Sequence, residues 1–313
     1  MVQNSLTQSK KQPLVGIKAF NSLIGSDMMR TKIHQMVGRT DSQEFITSIT
    51  SAVNNNPALA ECDAQSIISA ALLGQSLHLK PSPQLGYFYM VPFNNKKKGC
   101  KEAQFQLGYK GYIQLAIRTG EYIDIDTIEI REGEYKGRNR LTGKPEFEFV
   151  DDDTIRENLP VVGYMAYFEM KNGYIKRLYW SKDKMLKHAD EFSQAFNLQK
   201  YYELQEGKIP QNELWKYSSF WYKNFDEMAK KTMLRQLLSK HGLLSTDMQR
   251  AVESDQAVIN DNMKPEYVDS PDVIDNEPAH EEPQHLEETA TPNIDINQIH
   301  QQMTMYDDED PMA

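Results

Sequence analysis

The chain is predicted to adopt an α+β fold, a twisted antiparallel sheet with a β-hairpin and packed helices, on three observations. Residues 161–170 and 174–180 alternate apolar and polar side chains around Lys171-Asn-Gly-Tyr174, and Asn-Gly between alternating runs is the strongest short hairpin signal. Apolar residues recur at helical spacing on both flanks, at Phe45, Ile49 and Val53 and again from Trp221 to Lys240. Between Gln104 and Arg118 a two-residue alternation becomes a helical one across a Gly108-Tyr109-Lys110-Gly111 corner. Phe105 and Leu107 take one face of a strand and Gln104 and Gln106 the other; Tyr112, Ile113, Ala116 and Ile117 then line a helix that Gly120 can cap.

The elements follow in order. Residues 1–40 are polar and punctuated by glycine, with short apolar groups at 14–20 and 23–29, and read either as a loosely attached arm or as a subunit-contacting helix. A helix through Phe45 and Val53 precedes a second, opened by Asp63, running through Ile67, Ala71 and Leu72 and broken by Pro81-Ser-Pro83. Strands at 87–93 and 103–107 flank a polar loop with Lys96, Lys97 and Lys98 at its tip. A helix at 109–119 leads to strands at 122–131 and 146–150, separated by Arg138-Asn-Arg-Leu-Thr-Gly-Lys144. Ser181 can cap a helix through His188, and residues 221–240 form one long helix ending at Gly242, with Trp221, Phe225, Met228 and Thr232 on one face and Lys223 and Lys230 opposite. Trp215, Trp221 and Phe225 are expected in the core. The folded core is assigned to residues 41–245.

The formal net charge of −10 conceals an uneven distribution. From residue 251 onward 17 acidic residues face a single Lys264, which leaves 28 acidic and 34 basic residues before it: the body is basic and the tail acidic. The tail also carries six prolines and few large apolar residues, so residues 246–313 are expected to stay disordered. The first residues form no apolar signal core, no apolar run is long enough to span a bilayer, and Cys62 and Cys100 lack the spacing of a disulfide framework or zinc site. A cytoplasmic protein with no cofactor is expected.

Several patterns carry chemistry. The glycines beside Lys110 allow a close backbone approach, and Tyr109 and Tyr112 offer faces on which bases can stack. Phe196, in a polar stretch, could wedge between bases or support a neighbouring subunit. Asp124 and Asp126 on one side of a strand, with Asp151-Asp-Asp153, raise the alternative of a metal-dependent nuclease, although such carboxylates more often mark a solvent face and a loop. The segment 137–144 departs from a phosphate loop, having five residues between its glycines and Pro145 where Ser or Thr is required. ATP-driven strand invasion is therefore disfavoured.

Residues 66–81, Gly86-Tyr-Phe-Tyr-Met-Val-Pro-Phe93, Gln106-Leu-Gly-Tyr-Lys-Gly111 with Arg118-Thr-Gly120, His188-Ala189 with Ser193, and Phe225-Asp-Glu-Met-Ala-Lys-Lys-Thr-Met-Leu-Arg235 together closely resemble the RecT branch of the RecT/Redβ single-strand annealing proteins. The resemblance spans roughly residues 43–244 and implies ATP-independent binding of single-stranded DNA and annealing of complementary strands by an oligomeric ring or filament. It also implies a RecT/Redβ-like core, single-stranded DNA and annealed duplex as ligands, and a partner exonuclease and host single-strand-binding protein as candidate partners. No membrane is involved. The tail end, Tyr306 to Ala313, is similar to the acidic ends of single-strand-binding proteins and is a candidate mimic of DNA. Taken alone, a lysine-rich loop is more often a solvated turn; with the resemblance, Lys96, Lys97, Lys98 and Lys101 become candidate phosphate contacts. Gln104, Gln106, Tyr109, Lys110, Tyr112 and Arg118 join them, Arg118 having the alternative of holding its helix to a carboxylate. Arg138, Arg140 and Lys144 would extend the basic track, and Lys187, His188, Phe196, Lys223, Lys230, Lys231 and Arg235 would continue it on neighbouring helices. A non-enzymatic RNA-binding scaffold is the other alternative.

Overall fold

The computed structural model describes residues 13–267, positions 83 and 194 excepted. Helices α1 (Ile17–Gly25), α2 (Asp27–Val37), α3 (Ser42–Asn54), α4 (Pro57–Ala60) and α5 (Ala64–Ser76) come first. A hairpin of β1 (Phe88–Asn95) and β2 (Cys100–Leu107) leads to α6 (Tyr109–Ile117), β3 (Tyr122–Arg131), a ribbon of β4 (Tyr135–Arg138) and β5 (Pro145–Phe147), α7 (Asp153–Asn158), and a second hairpin of β6 (Val161–Met170) and β7 (Ile175–Ser181). Then follow α8 (Lys182–Phe192), α9 (Leu198–Gln205), a 3-10 turn (Gln211–Tyr217), α10 (Phe220–Lys223), α11 (Phe225–His241), α12 (Thr246–Ser254) and the short strands β8 (Ala257–Ile259) and β9 (Pro265–Glu266). The α+β class is as predicted, and the strands divide into sheets ordered β1-β2-β8-β9 and β3-β6-β7 besides the β4-β5 ribbon, with antiparallel pairing throughout.

The first sheet is organised by α5. The Asp63 carboxylate caps it, accepting from the Ser66 amide at 3.1 Å, and its other oxygen takes the Leu14 amide at 2.9 Å. Helix α5 is apolar nearly all round and lies against β2 on one side and α1 and α2 on the other, so most of its residues are buried. Phe20, Ile24, Met29 and Ile33 of α1 and α2 enter the same core. From residue 17 onward the N-terminal segment is therefore packed core, which corrects the loosely attached arm.

The β3-β6-β7 sheet carries α11 on one face. Tyr164, Ala166 and Phe168 of β6 point to the helices, while Met165 points the other way and packs with Ile130 and Tyr179 under Tyr135 and Phe147 of the ribbon. The ribbon is held by Glu134, whose fully buried carboxylate accepts from the Arg131 amide at 2.8 Å and from Arg156 Nε at 2.5 Å. Burial opposes ionisation there, but the Arg156 guanidinium prevails and keeps the Glu134 pKa below the usual carboxylate range.

Two further expectations are corrected. The helix foreseen over 221–240 is interrupted at Asn224 (φ −138°, ψ 57°), which separates α10 from α11. The break lets Trp221 and Phe225 both enter a cluster with Phe196 and Tyr201, at centroid separations of 5.3–6.0 Å. Trp215, expected in the core, is 73% exposed. The boundary at 246 also fails: Met248 and Ala251 of α12 are buried, and β8 pairs with β2 through Gln104 and Phe105. An average over an acidic, proline-rich stretch concealed a short amphipathic helix at its start. Residues beyond 267, including the acidic end at Tyr306–Ala313, lie outside the described residues.

The segment after α12 supplies Asp255, a buried carboxylate that accepts from the Leu107 amide and the Tyr112 hydroxyl, each at 2.9 Å, with Arg235 Nη1 at 3.5 Å. Burial and then the Asp255 charge hold the Tyr112 phenol well above its usual pKa. The Gly-Tyr-Lys-Gly corner next to it does admit a close backbone, and that backbone is the protein's own: a Cβ on Gly108 or Gly111 would lie 2.0 Å from the carbonyl oxygen of Gly86 or Tyr87 respectively. Gly111→Ala is accordingly expected to lower stability by about 1–3 kcal/mol or more, measured as a lower urea midpoint, while Lys110→Ala, on an exposed side chain, leaves the midpoint in place.

Candidate nucleic-acid interface

The predicted binding residues fall into separate places. Lys96 and Lys97 are exposed at the β1-β2 turn, but Lys98 Nζ binds Glu102 at 2.7 Å and Lys101 Nζ binds Glu61 at 2.5 Å, so acids neutralise much of this cluster. Gln104 is buried in the centre of its sheet, and Gln106 is half-buried opposite Tyr89. Tyr112 is fully buried and cannot stack on a base; half-buried Tyr109 donates to Asp126 and accepts from Thr127, each at 3.0 Å, while Lys110 is exposed. Arg118 donates to the carbonyls of Leu77 at 2.7 Å and His78 at 2.6 Å, fastening α6 to the end of α5 through backbone oxygens instead of the carboxylate expected. Arg138, Arg140 and Lys144 project from the β4-β5 ribbon.

Phe196 is 5% exposed inside its aromatic cluster and cannot wedge between bases. Lys187 and Lys223 are exposed, and Lys230 is held by Glu227 at 2.5 Å and Glu129 at 3.4 Å. The carboxylates proposed for a nuclease are engaged as well: Asp124 accepts from Tyr167, Asp126 from Tyr109 and the Thr127 amide, and Asp152 caps α7. Among the described residues no group of three His, Cys, Asp or Glu side chains is placed to hold a metal.

Three predicted residues, His188, Lys231 and Arg235, do meet. They line a cavity of about 400 Å³ between α8 and α11, floored by Val252 of α12 and by Asp255 and Gln256 after it, which also takes in Phe192, Gln236, Ser239 and Lys240. Its α8 wall follows from helical spacing. His188 and Phe192 line it; Lys184, one turn earlier on the same face, lies outside the lining, over Trp180 at the end of β7. Lys184 Nζ lies 4.3 Å from the Trp180 ring, Trp180 is edge-on to His188 at 5.1 Å, and His188 is 4.6 Å from Phe192, which is 65% exposed. The other wall presents Lys231, Arg235 and Lys240 from α11. Neither the Lys231 nor the Lys240 ammonium has a hydrogen bond or ion pair among the described residues. Burial lowers the Lys231 pKa, with Asp255 opposing and Arg235 adding to the effect.

The exposed Phe192 ring facing the Lys231 and Lys240 ammoniums suits a strand with a base stacked on one side and its phosphates bound on the other. Lys184, Phe192 and Lys240 escaped the sequence reading, although the four-residue spacing of the α8 residues was legible. The chain belongs to the RecT family, whose model matches residues 43–275. It is 37% identical over 279 residues to the uncharacterized protein YqaK of Bacillus subtilis (strain 168), covering 87% of this chain and 86% of that one. It is 28% identical over 244 residues to Protein RecT of Escherichia coli (strain K12), covering 75% and 79% of the two chains. Membership makes it a DNA-binding protein of the recombination and annealing class.

His188 gives the groove a pH dependence. Burial first, then the charges of Arg235, Lys184 and Lys240, hold its pKa below 6.5, so the free groove gains this charge only as the medium becomes acidic. A bound phosphate reverses part of that shift. Strand affinity is expected to rise as the pH falls into the acidic range, by up to roughly tenfold for each pKa unit recovered on binding, and His188→Gln should flatten the rise in fluorescence anisotropy titrations. For folding the sign is opposite: the unfolded chain takes up the proton first, so this residue subtracts stability as pH falls below 6.5.

Proposed function

We propose that the protein binds single-stranded DNA along the α8–α11 groove and anneals complementary strands without ATP, working as a homo-oligomeric ring or filament. The observation that carries this reading is the pairing of unpartnered Lys231 and Lys240 with the exposed Phe192 face in one cavity. Cations along one wall fix the backbone without reading sequence, and a stacking face along the other accepts any base. Watson–Crick edges directed away from both walls remain free to test a second strand, and base pairing supplies the free energy of the product. Each subunit covers few nucleotides, so continuous alignment calls for many subunits. The exposed aromatics Trp215 and Phe220, with Met28 of α2, are candidate contact surfaces.

Mixing the protein with two complementary fluorescent strands in the absence of ATP should accelerate duplex formation. Binding without acceleration would point to a scaffold instead, and Mg²⁺-dependent shortening of either strand to a nuclease. Phe192→Ala is expected to weaken single-strand binding by about 1–3 kcal/mol, whatever the sequence of the strand. Lys240→Ala should weaken binding uniformly across sequences and reduce the slope of log affinity against log salt by about 1. Both effects are read from anisotropy titrations at several salt concentrations.

A further inference from the structure

A second basic cavity, of about 240 Å³, lies where the β4-β5 ribbon meets the edge strand β7 and the end of α11. Arg138 and Lys144 border it from the ribbon, Lys176 and Arg177 from the two faces of the edge strand β7, and His241 from α11; no Asp or Glu lines it. Arg138 is steadied by a hydrogen bond to the Gly143 carbonyl at 3.0 Å, and none of the four Lys and Arg head groups has a carboxylate partner among the described residues.

These charges do not sit on a loose loop. The ribbon is anchored by the buried Glu134–Arg156 pair and by Tyr135 stacked on Tyr179 at 4.3 Å. Like charges gathered in a fixed concavity repel one another, and an anion is what relieves them. The cavity also differs in kind from the α8–α11 groove. No Phe or Trp lines it, Tyr179 is buried under the ribbon and His241 is half-buried, so it offers cations without an exposed ring like Phe192. Lys240 of the groove and His241 of this cavity are consecutive residues, which makes the two sites neighbours along α11.

We propose that this cavity receives a backbone phosphate of the second, incoming DNA strand. The inference rests on the annealing function proposed above. Two polyanions must approach closely before pairing begins, and cations that hold a backbone without stacking its bases lower that repulsion while leaving the bases free to pair. The site then acts on the encounter of the strands and leaves the holding of the first strand to the groove.

The test compares the wild-type chain with a Lys176→Gln/Arg177→Glu variant, its folding verified by circular dichroism and thermal unfolding. Anisotropy gives the affinity for one labelled strand, and stopped-flow fluorescence gives the rate at which a complementary strand pairs with the preformed complex. First-strand affinity should stay within about twofold while the annealing rate at low salt falls by about tenfold or more and loses much of its salt dependence. A parallel loss of first-strand affinity would overturn the proposal by making the cavity part of the first strand's path. An unchanged rate would overturn it too. A wild-type chain that fails to anneal would instead sink the function proposed for the whole protein, so the two failures are told apart by the wild-type measurement.

Discussion

The Asp255 carboxylate is the contact on which the rest of the arrangement depends. It sits where three pieces of chain converge, accepts from the last amide of β2 and from the Tyr112 hydroxyl of α6, and forms an ion pair with the Arg235 guanidinium of α11. A buried carboxylate is tolerated only when donors surround it, and each of these donors would otherwise be costly to bury. The same ion pair restrains Arg235 at the floor of the groove. Core packing and the electrostatics of the interface therefore share one acid, contributed by a segment whose composition reads as a solvated tail.

That double use explains which parts were legible in the sequence. Hairpins announced by Asn-Gly or by polar glycine loops, and helices with apolar residues at a regular period, are local signals, and β1-β2, β6-β7, α3 and α5 stand where those signals put them. Binding residues are harder to read, because a lysine or tyrosine shows its chemistry in sequence but not its partner. Lys98, Lys101 and Lys230 are occupied by acids, Lys98 and Lys230 by near neighbours along the chain, whereas Tyr112 and Phe196 are withdrawn from solvent by contacts that only the folded chain creates. Conversely, Lys176, Arg177 and His241 look unremarkable in sequence and become notable only when a ribbon some thirty residues upstream folds over them. The glycine corner teaches a related lesson: its small residues serve a close approach, as expected, and the approaching chain belongs to the protein itself.

The groove and the neighbouring basic cavity embody two ways of holding a polyanion. One couples cations to flat hydrophobic faces, so that a strand gains stacking as well as charge neutralisation; the other offers charge alone. Salt weakens the second far more than the first, because stacking needs no counterions to be displaced. Charge already present inside the protein sets the background for both. Several basic residues of the body are committed to internal pairs, among them Lys98, Lys101, Arg156 and Lys230.

The separation of 148 residues between Asp255 and the Leu107 amide also bears on how the molecule is made. Contacts this distant in sequence close late, since the cost of looping the intervening chain must be met before any gain is realised. During synthesis the basic helices leave the ribosome before the acid that completes their floor. A nascent chain therefore passes through a stage in which its positive charge is exposed but its groove is unfinished. The groove is thus completed only when Asp255 reaches the Leu107 amide, the Tyr112 hydroxyl and the Arg235 guanidinium.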